Sequence, residues 1–412
     1  MNRTNTQQSP LPPGDLDQLL ELEQADRSYL LRATEAYGPI FKALSGSHLC
    51  VCVVGLGLGR QFLQEHGEAL RPVTLELESL FPLGFMRQMR GAVHQKYRGI
   101  VVKAVRSCDS LWDPDFYSTL VASHLQDYMQ TQDTHRRPSR AYVVTLTDLV
   151  TSMLIHVFFG ARPGSPLHGE LIQGFKALGP FGLSWTIGPK QTAAFARLRS
   201  ALLEHHWNLD DGLTGRIVEA DGLDETMLGN LIYMVEMGRF DMAGYFRWLT
   251  WHGAHNPDRL EAISRDPTET VESGRSMAQA FALETLRMDQ SERLLRKVEQ
   301  DIVFHGFRIP ETSTVRICLW EAHKSSQAFP EPLAFNPDRF LSDAPSGESF
   351  SPFGLDRHRC PLSDVAIKLA CAFITTLAMQ YRLELAADGP AVRGPYHWEP
   401  ATRFAVRLLP RD

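Results

Sequence analysis

The residue with the most definite chemistry is Cys360, in the stretch Phe353-Gly354-Leu355-Asp356-Arg357-His358-Arg359-Cys360-Pro361. A cysteine thiolate binds metals, and nearby cations and backbone N–H groups keep it ionised and temper its charge. Arg357, His358 and Arg359 supply the cations. The apolar periodicity that follows predicts a helix beginning near Pro361, whose amides and dipole would face the sulfur. Pro361 suits a first helical position, although it removes one N–H donor. A cysteine before a helix is more often a small buried hydrophobe, so its role depends on its company.

That company is charged. Glu284-Thr285-Leu286-Arg287 sets Glu284 and Arg287 at i,i+3 on one helix face, where they can pair. Phe335-Asn336-Pro337-Asp338-Arg339-Phe340 then brings a second arginine within reach. A buried cluster of Glu284, Arg287 and Arg339 is costly unless every member is satisfied, so its use would be to fix a geometry.

These residues need elements to hold them. Helical spacing dominates: it runs through DLDQLLELEQADRSYLLRATEAYG to Gly38-Pro39, through HQKYRGIVVKAVRSC, and through AYVVTLTDLVTSMLIHVFFG. A longer helix starts near Met227 and stops at Asn256-Pro257; roughly 30 residues make it about 45 Å long, enough to cross a domain. MAQAFALETLRM and LSDVAIKLACAFITTLAMQY are further helices. His48 opens a β-rich run that can pair with the preceding IFKAL, and DIVFHGFRIP, TVRICLWEA and the C-terminal tail also read as strands. The fold class is mainly α with small β-sheets (α+β). Residues 1–15 read as a flexible leader and 16–412 as one domain.

Composition narrows the function. The 412 residues are 43% hydrophobic, ample for a large core, and a net charge of −6 argues against a general nucleic-acid binder. Six scattered cysteines with no Cys-x-x-Cys pair fit a reducing compartment, hence a cytoplasmic location. The polar, proline-rich N-terminus lacks a signal-peptide core. No run of about 18 apolar residues stands out, so neither a membrane span nor a membrane partner is expected.

Taken in order, these motifs resemble the cytochrome P450 family. Glu284-x-x-Arg287, the Phe335–Phe340 meander and the Phe353–Cys360 loop come in that family's order. Tyr37-Gly38-Pro39-Ile40-Phe41, His94-Gln-Lys-Tyr-Arg98 and Phe304-His305-Gly306-Phe307-Arg308-Ile309-Pro310 extend the resemblance over most of the chain. It implies the P450 fold, with the long helix crossing above a b-type haem (iron protoporphyrin IX), and Cys360 as the iron ligand. It further implies Phe353 beside the haem, propionate contacts from His94, Arg98, Arg296 and His358, and Glu284, Arg287 and Arg339 as scaffold. The reaction implied is oxidation of a mid-sized, largely apolar organic molecule, plausibly in specialised metabolism. The basic segment Arg87, Arg90, Lys96, Arg98, Lys103, Arg106 would receive an acidic ferredoxin or flavodoxin.

The sequence departs from the family in two places. Asp356 and Leu362 stand where the loop usually has glycine, and glycine or alanine. On the long helix the family's Ala-Gly-x-Asp/Glu-Thr falls on Met237-Gly238-Arg239-Phe240-Asp241. Phe240 then holds the acid position, as an aromatic wall, and Asp241 the alcohol position; a slip of one residue would make Asp241 the acid. The usual proton relay is absent in either register. Asp241 can itself deliver protons, or turn away to pair with Arg239 or Arg247. Arg239 lies near where peroxide-using members hold a substrate carboxylate. Peroxide-dependent chemistry, a non-oxygenating reaction (dehydration, rearrangement, desaturation) and a non-catalytic haem-binding role are the alternatives. Segments 74–89 and 174–192 would line or cover the substrate.

Overall fold

The computed structural model describes all residues except 1–8, 17–25, 74–76, 78–79, 82–83, 109–111, 180–186, 221, 268–269, 271–273, 290–291, 343–344, 346, 356, 395–396 and 412. Much of the 74–89 and 174–192 segments, and the substituted loop position Asp356, therefore lie outside the described residues.

In chain order the elements begin with α1 (Tyr29–Tyr37), β1 (Ile40–Ser45), β2 (His48–Val54), α2 (Leu56–His66), β3 (Leu70–Pro72), α3 (Gly91–Ser107), α4 (Pro114–Thr131) and α5 (Pro138–Phe159). Next come α6 (Pro166–Leu178), α7 (Pro189–Glu204), α8 (Gly212–Glu219), α9 (Glu225–His255), α10 (Pro257–Arg265) and α11 (Met277–Asp289). They end with β4 (Arg293–Val298), β5 (Ile302–Phe304), β6 (Phe307–Ile309), β7 (Thr314–Cys318), α12 (Leu319–Ala322), α13 (Ser363–Gln380), β8 (Tyr381–Ala387), β9 (Val392–Arg393), β10 (Trp398–Glu399) and β11 (Ala405–Pro410). The chain is mainly helical with small sheets, as its periodicity predicts. It divides into two compact units: Met1–Val73, Thr268–Cys360 and Gly389–Thr402 form one, and Thr74–Pro267, Pro361–Asp388 and Arg403–Asp412 the other.

The first unit is built on a five-stranded sheet of order β1-β2-β7-β4-β3. β1 and β2 form the expected antiparallel hairpin, while β7 runs parallel to β2 with Cys52 opposite Arg316. Side chains alternate across a strand, so each face has its own population. One face carries Phe41, Ala43, Cys50, Cys52 and Cys318, packed with Leu30 and Ala33 of α1. The other carries Val51, Val53, Val315 and Ile317, packed with Phe62 of α2 and with Leu355 of the cysteine loop. Gly59 of α2 permits this approach, since a Cβ there would meet Ile317 at 2.6 Å and Leu355 at 3.2 Å.

Residues of the segment read as a flexible leader are tied to β1 and to β6. The carbonyl of Pro13 accepts from the Lys42 amide, that of Pro12 from Lys42 Nζ, and that of Pro10 from the Arg308 amide.

The second unit is a helix assembly. α9 begins two residues before the expected Met227, because Asp224 caps it by accepting from the Met227 amide at 2.7 Å. The same carboxylate receives the Tyr97 hydroxyl at 2.7 Å, which docks α3 on the start of α9. At 31 residues α9 is about 46 Å long and ends at His255, before Asn256-Pro257. Its buried side packs on α5, where Tyr142 and Thr250 hydroxyls lie 2.9 Å apart, and on α13, where Phe246 stacks on Phe373 at 4.3 Å. Two helices, Pro138–Phe159 and Ser363–Gln380, are long and apolar enough by composition to cross a membrane, which corrects the expectation that no such run exists. In the first, 72% of the apolar window is buried inside the fold, as a core helix requires.

Candidate functional site

In the first unit, the cysteine loop is closed by a hydrogen bond from the Cys360 amide to the Phe353 carbonyl at 2.9 Å. Gly354 makes the turn at φ +101°, a region that strains any side-chain-bearing residue, and Ser351 Oγ donates to its carbonyl at 2.8 Å. A Cβ on Gly354 would lie 3.5 Å from the Arg359 backbone and 3.9 Å from Leu294. The loop therefore rests on β4. Arg296, two residues beyond Leu294 and so on the same strand face, is 4% exposed. Cys360 and His358 are half-buried and Arg357 and Arg359 exposed; none of the six cysteines is in a disulfide.

The sequence expectation for Pro361 is corrected. Pro361 and Leu362 form a turn, and α13 starts at Ser363 with Leu362 as its cap. The helix amides thus begin two residues later than the spacing predicts.

Glu284, Arg287 and Arg339 meet as expected. Arg287 forks onto Glu284 through two bonds of 2.7 and 2.8 Å, and Arg339 Nε donates to the same carboxylate at 3.2 Å. Arg287 also donates to the carbonyls of His323, Pro332 and Ala334, at 3.0, 2.7 and 3.1 Å. Glu284 and Arg287 are fully buried, and this dense bonding is what offsets their desolvation.

Two residues in this network carry no spacing signal and escape a sequence reading. His323 is fully buried, its carbonyl held by Arg287, while its Nε2 accepts from the Ser351 amide at 3.1 Å. A continuous path thus runs from Glu284 through Arg287 and His323 to Ser351 and the cysteine loop. Burial, with Lys324 and Arg287 beside it, holds the His323 pKa well below its usual range, so the ring is neutral and can accept. Lys324 donates to the carbonyls of Arg287 and Met288 at 2.6 and 3.3 Å, extending the scaffold.

In the second unit, His94 is 2% exposed and Arg98 half-buried on α3, whereas Lys96, Lys103 and Arg106 are exposed. On α9, Met234, Met237, Gly238, Asp241 and Gly244 form one incompletely buried stripe at helical spacing, with Asp241 the exposed member. Gly238 and Asp241 thus share a face, the i,i+3 relation that the resemblance gives its glycine and alcohol. Phe240 is half-buried and turned by about 100° from Asp241.

Arg239 does not face this stripe. It is 1% exposed, bonds Glu236 at 2.8 Å, and donates to the carbonyls of Phe175 (2.9 Å) and Gly179 at the end of α6. This corrects two expectations at once. Arg239 is committed to Glu236 rather than to Asp241, and it is not placed to take a substrate carboxylate.

The donor set fits a haem. Among the described residues no group of three or more His, Cys, Asp or Glu side chains that could hold a metal ion occurs. A half-buried thiol on a cation-bearing loop is what a haem requires.

The cytochrome P450 family model matches residues 259–392. Abscisic acid 8'-hydroxylase 1 of Arabidopsis thaliana is 22% identical over 96% of this chain and 90% of its own length. Abscisic acid 8'-hydroxylase 2 of the same plant is 24% identical over 59% of this chain and 56% of its own. Ent-kaurenoic acid oxidase of Oryza sativa subsp. japonica is 26% identical over 45% and 41%. These last two matches thus span about half the length of the relatives concerned. Among solved structures, the retinoic acid-bound cyanobacterial CYP120A1 superposes with a TM-score of 0.70 at 18% identity, covering 98% of this chain and all of that one. A zebra fish cytochrome P450 with progesterone gives 0.71 at 20%, covering 93% and 99%. With its cysteine loop and buried Glu–Arg–Arg cluster in place, the chain matches the cytochrome P450 family model over residues 259–392 and has the fold of the solved cytochromes P450.

Proposed function

We propose that the chain is a haem-thiolate oxidoreductase, most simply a monooxygenase, acting on a mid-sized, largely apolar organic molecule with electrons from a ferredoxin or flavodoxin. The observation that supports it most is the Cys360 loop, closed on Phe353 and braced through His323 to the Glu284–Arg287 pair. Bound haem would supply an iron able to take up oxygen and electrons.

The chain's own residues do the rest. Cys360 Sγ would ligate the haem iron, and the loop cations would favour its thiolate form. The resemblance gives propionate contacts to Arg296, His358, His94 and Arg98, each a cation or imidazole suited to a carboxylate. Asp241, exposed on the α9 stripe, carries a titratable carboxyl where an alcohol usually stands and moves the proton there. Lys96, Lys103 and Arg106 offer an exposed basic face to an acidic electron donor. Cysteines outside disulfides fit a reducing cytoplasm.

A second reading, peroxide-dependent or non-oxygenating chemistry, is favoured by the lost acid–threonine pair alone. Arg239 gives it no support, being bound to Glu236.

A reduced carbon monoxide spectrum tests the main reading. The wild type should give the thiolate-type band and Cys360→Ala should lose it; an unchanged spectrum in the variant sinks the ligand assignment. Turnover with peroxide, set against oxygen plus a reductase system, separates the two readings.

A further inference from the structure

The turn over residues 85–89 is fastened to the start of α9, within the second unit. The amides of Gln88 and Met89 both donate to the Phe85 carbonyl, at 3.0 and 3.1 Å. The Met86 amide donates to Asn230 Oδ1 at 2.6 Å, and Asn230 is fixed in turn by donating to the Thr226 carbonyl at 2.7 Å. Phe85 and Phe81 pack on the Tyr233 ring, at 5.1 and 5.8 Å between centroids, and Phe195 of α7 closes on Phe81 at 5.2 Å. Phe85, Met86 and Met89 are at most 9% exposed, so the turn is held by its own side chains.

Arg87, at the tip of that turn, is the exception. It is exposed, and among the described residues it pairs with no carboxylate. Its guanidinium faces the Tyr233 hydroxyl, where its charge opposes the rise that burial gives the Tyr233 pKa. An exposed arginine is usually a solvated cation. Arg87 differs in standing over a phenol that is 8% exposed, on an aromatic floor. Guanidinium N–H groups with a phenol O–H beside them are donors suited to a pair of anionic oxygens. The acid that acts on Tyr233 in the opposite sense is Asp241, at i+8 on α9 and so about 12 Å further along the helix axis. Met237 and Gly238 of the incompletely buried stripe lie between them. Positive charge at one end, negative at the other and an apolar run between them orient an occupant: anionic head at Arg87, apolar stem along α9 toward Asp241.

We propose that Arg87, with the Tyr233 hydroxyl, binds the carboxylate of the substrate, which is therefore an apolar organic acid oxidised about 12 Å from its head. Arg87 donates to both carboxylate oxygens and Tyr233 to one of them. Arg239, buried against Glu236, takes no part. This rests on the monooxygenase reading, whose substrate class it names.

Isothermal titration of the haem-loaded protein with decanoic acid and with decanamide tests this. The acid should bind about tenfold more tightly or better, the discrimination of one charge-assisted hydrogen bond. Arg87 is exposed, so Arg87→Gln leaves the packing of the turn alone. In that variant the preference should fall to about threefold or less, and Tyr233→Phe should weaken the acid more than the amide. Equal affinity for acid and amide in the wild type, no binding of the acid, or a preference that persists in Arg87→Gln overturns the proposal. An undiminished preference in Tyr233→Phe overturns the share given to the hydroxyl. The reduced carbon monoxide spectrum reports separately: a thiolate-type band without acid preference sinks this assignment alone, and a missing band sinks the haem-thiolate reading.

Discussion

Asp241 and His323 are two polar residues in opposite surroundings. Asp241 is exposed on the open stripe of α9, and the proposed function gives it the proton-transfer role. Asp241→Asn keeps the shape and removes the titrating group, so reductase-driven turnover should fall by about 10²-fold, the usual worth of a positioned acid–base group. Substrate-induced spectral shifts should be unchanged; full turnover in the variant would remove Asp241 from the proton path. His323 exchanges nothing: it is buried, neutral, and accepts from Ser351 beneath the cysteine loop. His323→Leu leaves that amide buried without an acceptor and should cost about 1–3 kcal/mol in urea unfolding. His323→Asn, which restores an acceptor, should recover part of this. The sequence makes Cys360, Glu284 and Arg287 legible because their spacing along the chain is the motif. It hides His323 and the Glu236–Arg239 pair, whose meaning lies in carbonyls far away in sequence: Arg239 reaches Phe175 and Gly179, and Arg287 reaches Ala334.

At the scale of elements, helix ends explain most of what was and was not readable. Gly38 (φ +86°) closes α1 and Asn256-Pro257 closes α9, and both stops are plain in the sequence. The start of α13 is not, because Pro361 and Leu362 continue the turn of the cysteine loop before the helix begins. The corner after α5 is set by close approach. Gly160 has φ +63°, and a Cβ on it would lie 2.5 Å from Asp211. α5 also carries a pH-sensitive contact. His156 Nδ1 lies 2.9 Å from the Tyr117 hydroxyl of α4, and burial, aided by Arg162, lowers its pKa from 6.5 to about 4. Between those two values the unfolded chain binds a proton that the folded chain refuses. Stability should therefore fall on acidification through this window, by up to about 1.4 kcal/mol per pH unit. His156→Gln should flatten that part of the urea-midpoint profile; an unaltered slope would mean that His156 is charged in the fold.

At the scale of the whole molecule, an acidic chain carries a basic helix face. Net charge is −6, yet Lys96, Lys103 and Arg106 are exposed together on α3. Reduction by an acidic ferredoxin should slow as salt rises from about 0.01 to 0.15 M, where the screening length shortens from about 30 to 8 Å. Charge reversal at Lys96 and Lys103 should raise KM for the donor and weaken that salt dependence, with the carbon monoxide spectrum intact. A rate indifferent to salt would place the donor elsewhere. The fold class was legible from periodicity, but the order of strands was not. Alternation identifies β7 as a strand; nothing in it says that β7 lies between β2 and β4.

That strand order sets a timetable for synthesis. β2 finds its parallel neighbour only when β7 has been made, after every helix from α3 to α11. At about 5–20 residues per second, the β1–β2 hairpin waits on the order of tens of seconds with one long edge unpaired, a template for wrong partners. Its faces can be partly covered at once by α1 and α2, its neighbours along the chain. The nascent chain thus passes through a period in which a holding chaperone, or slow synthesis, decides yield more than the stability of the finished protein does.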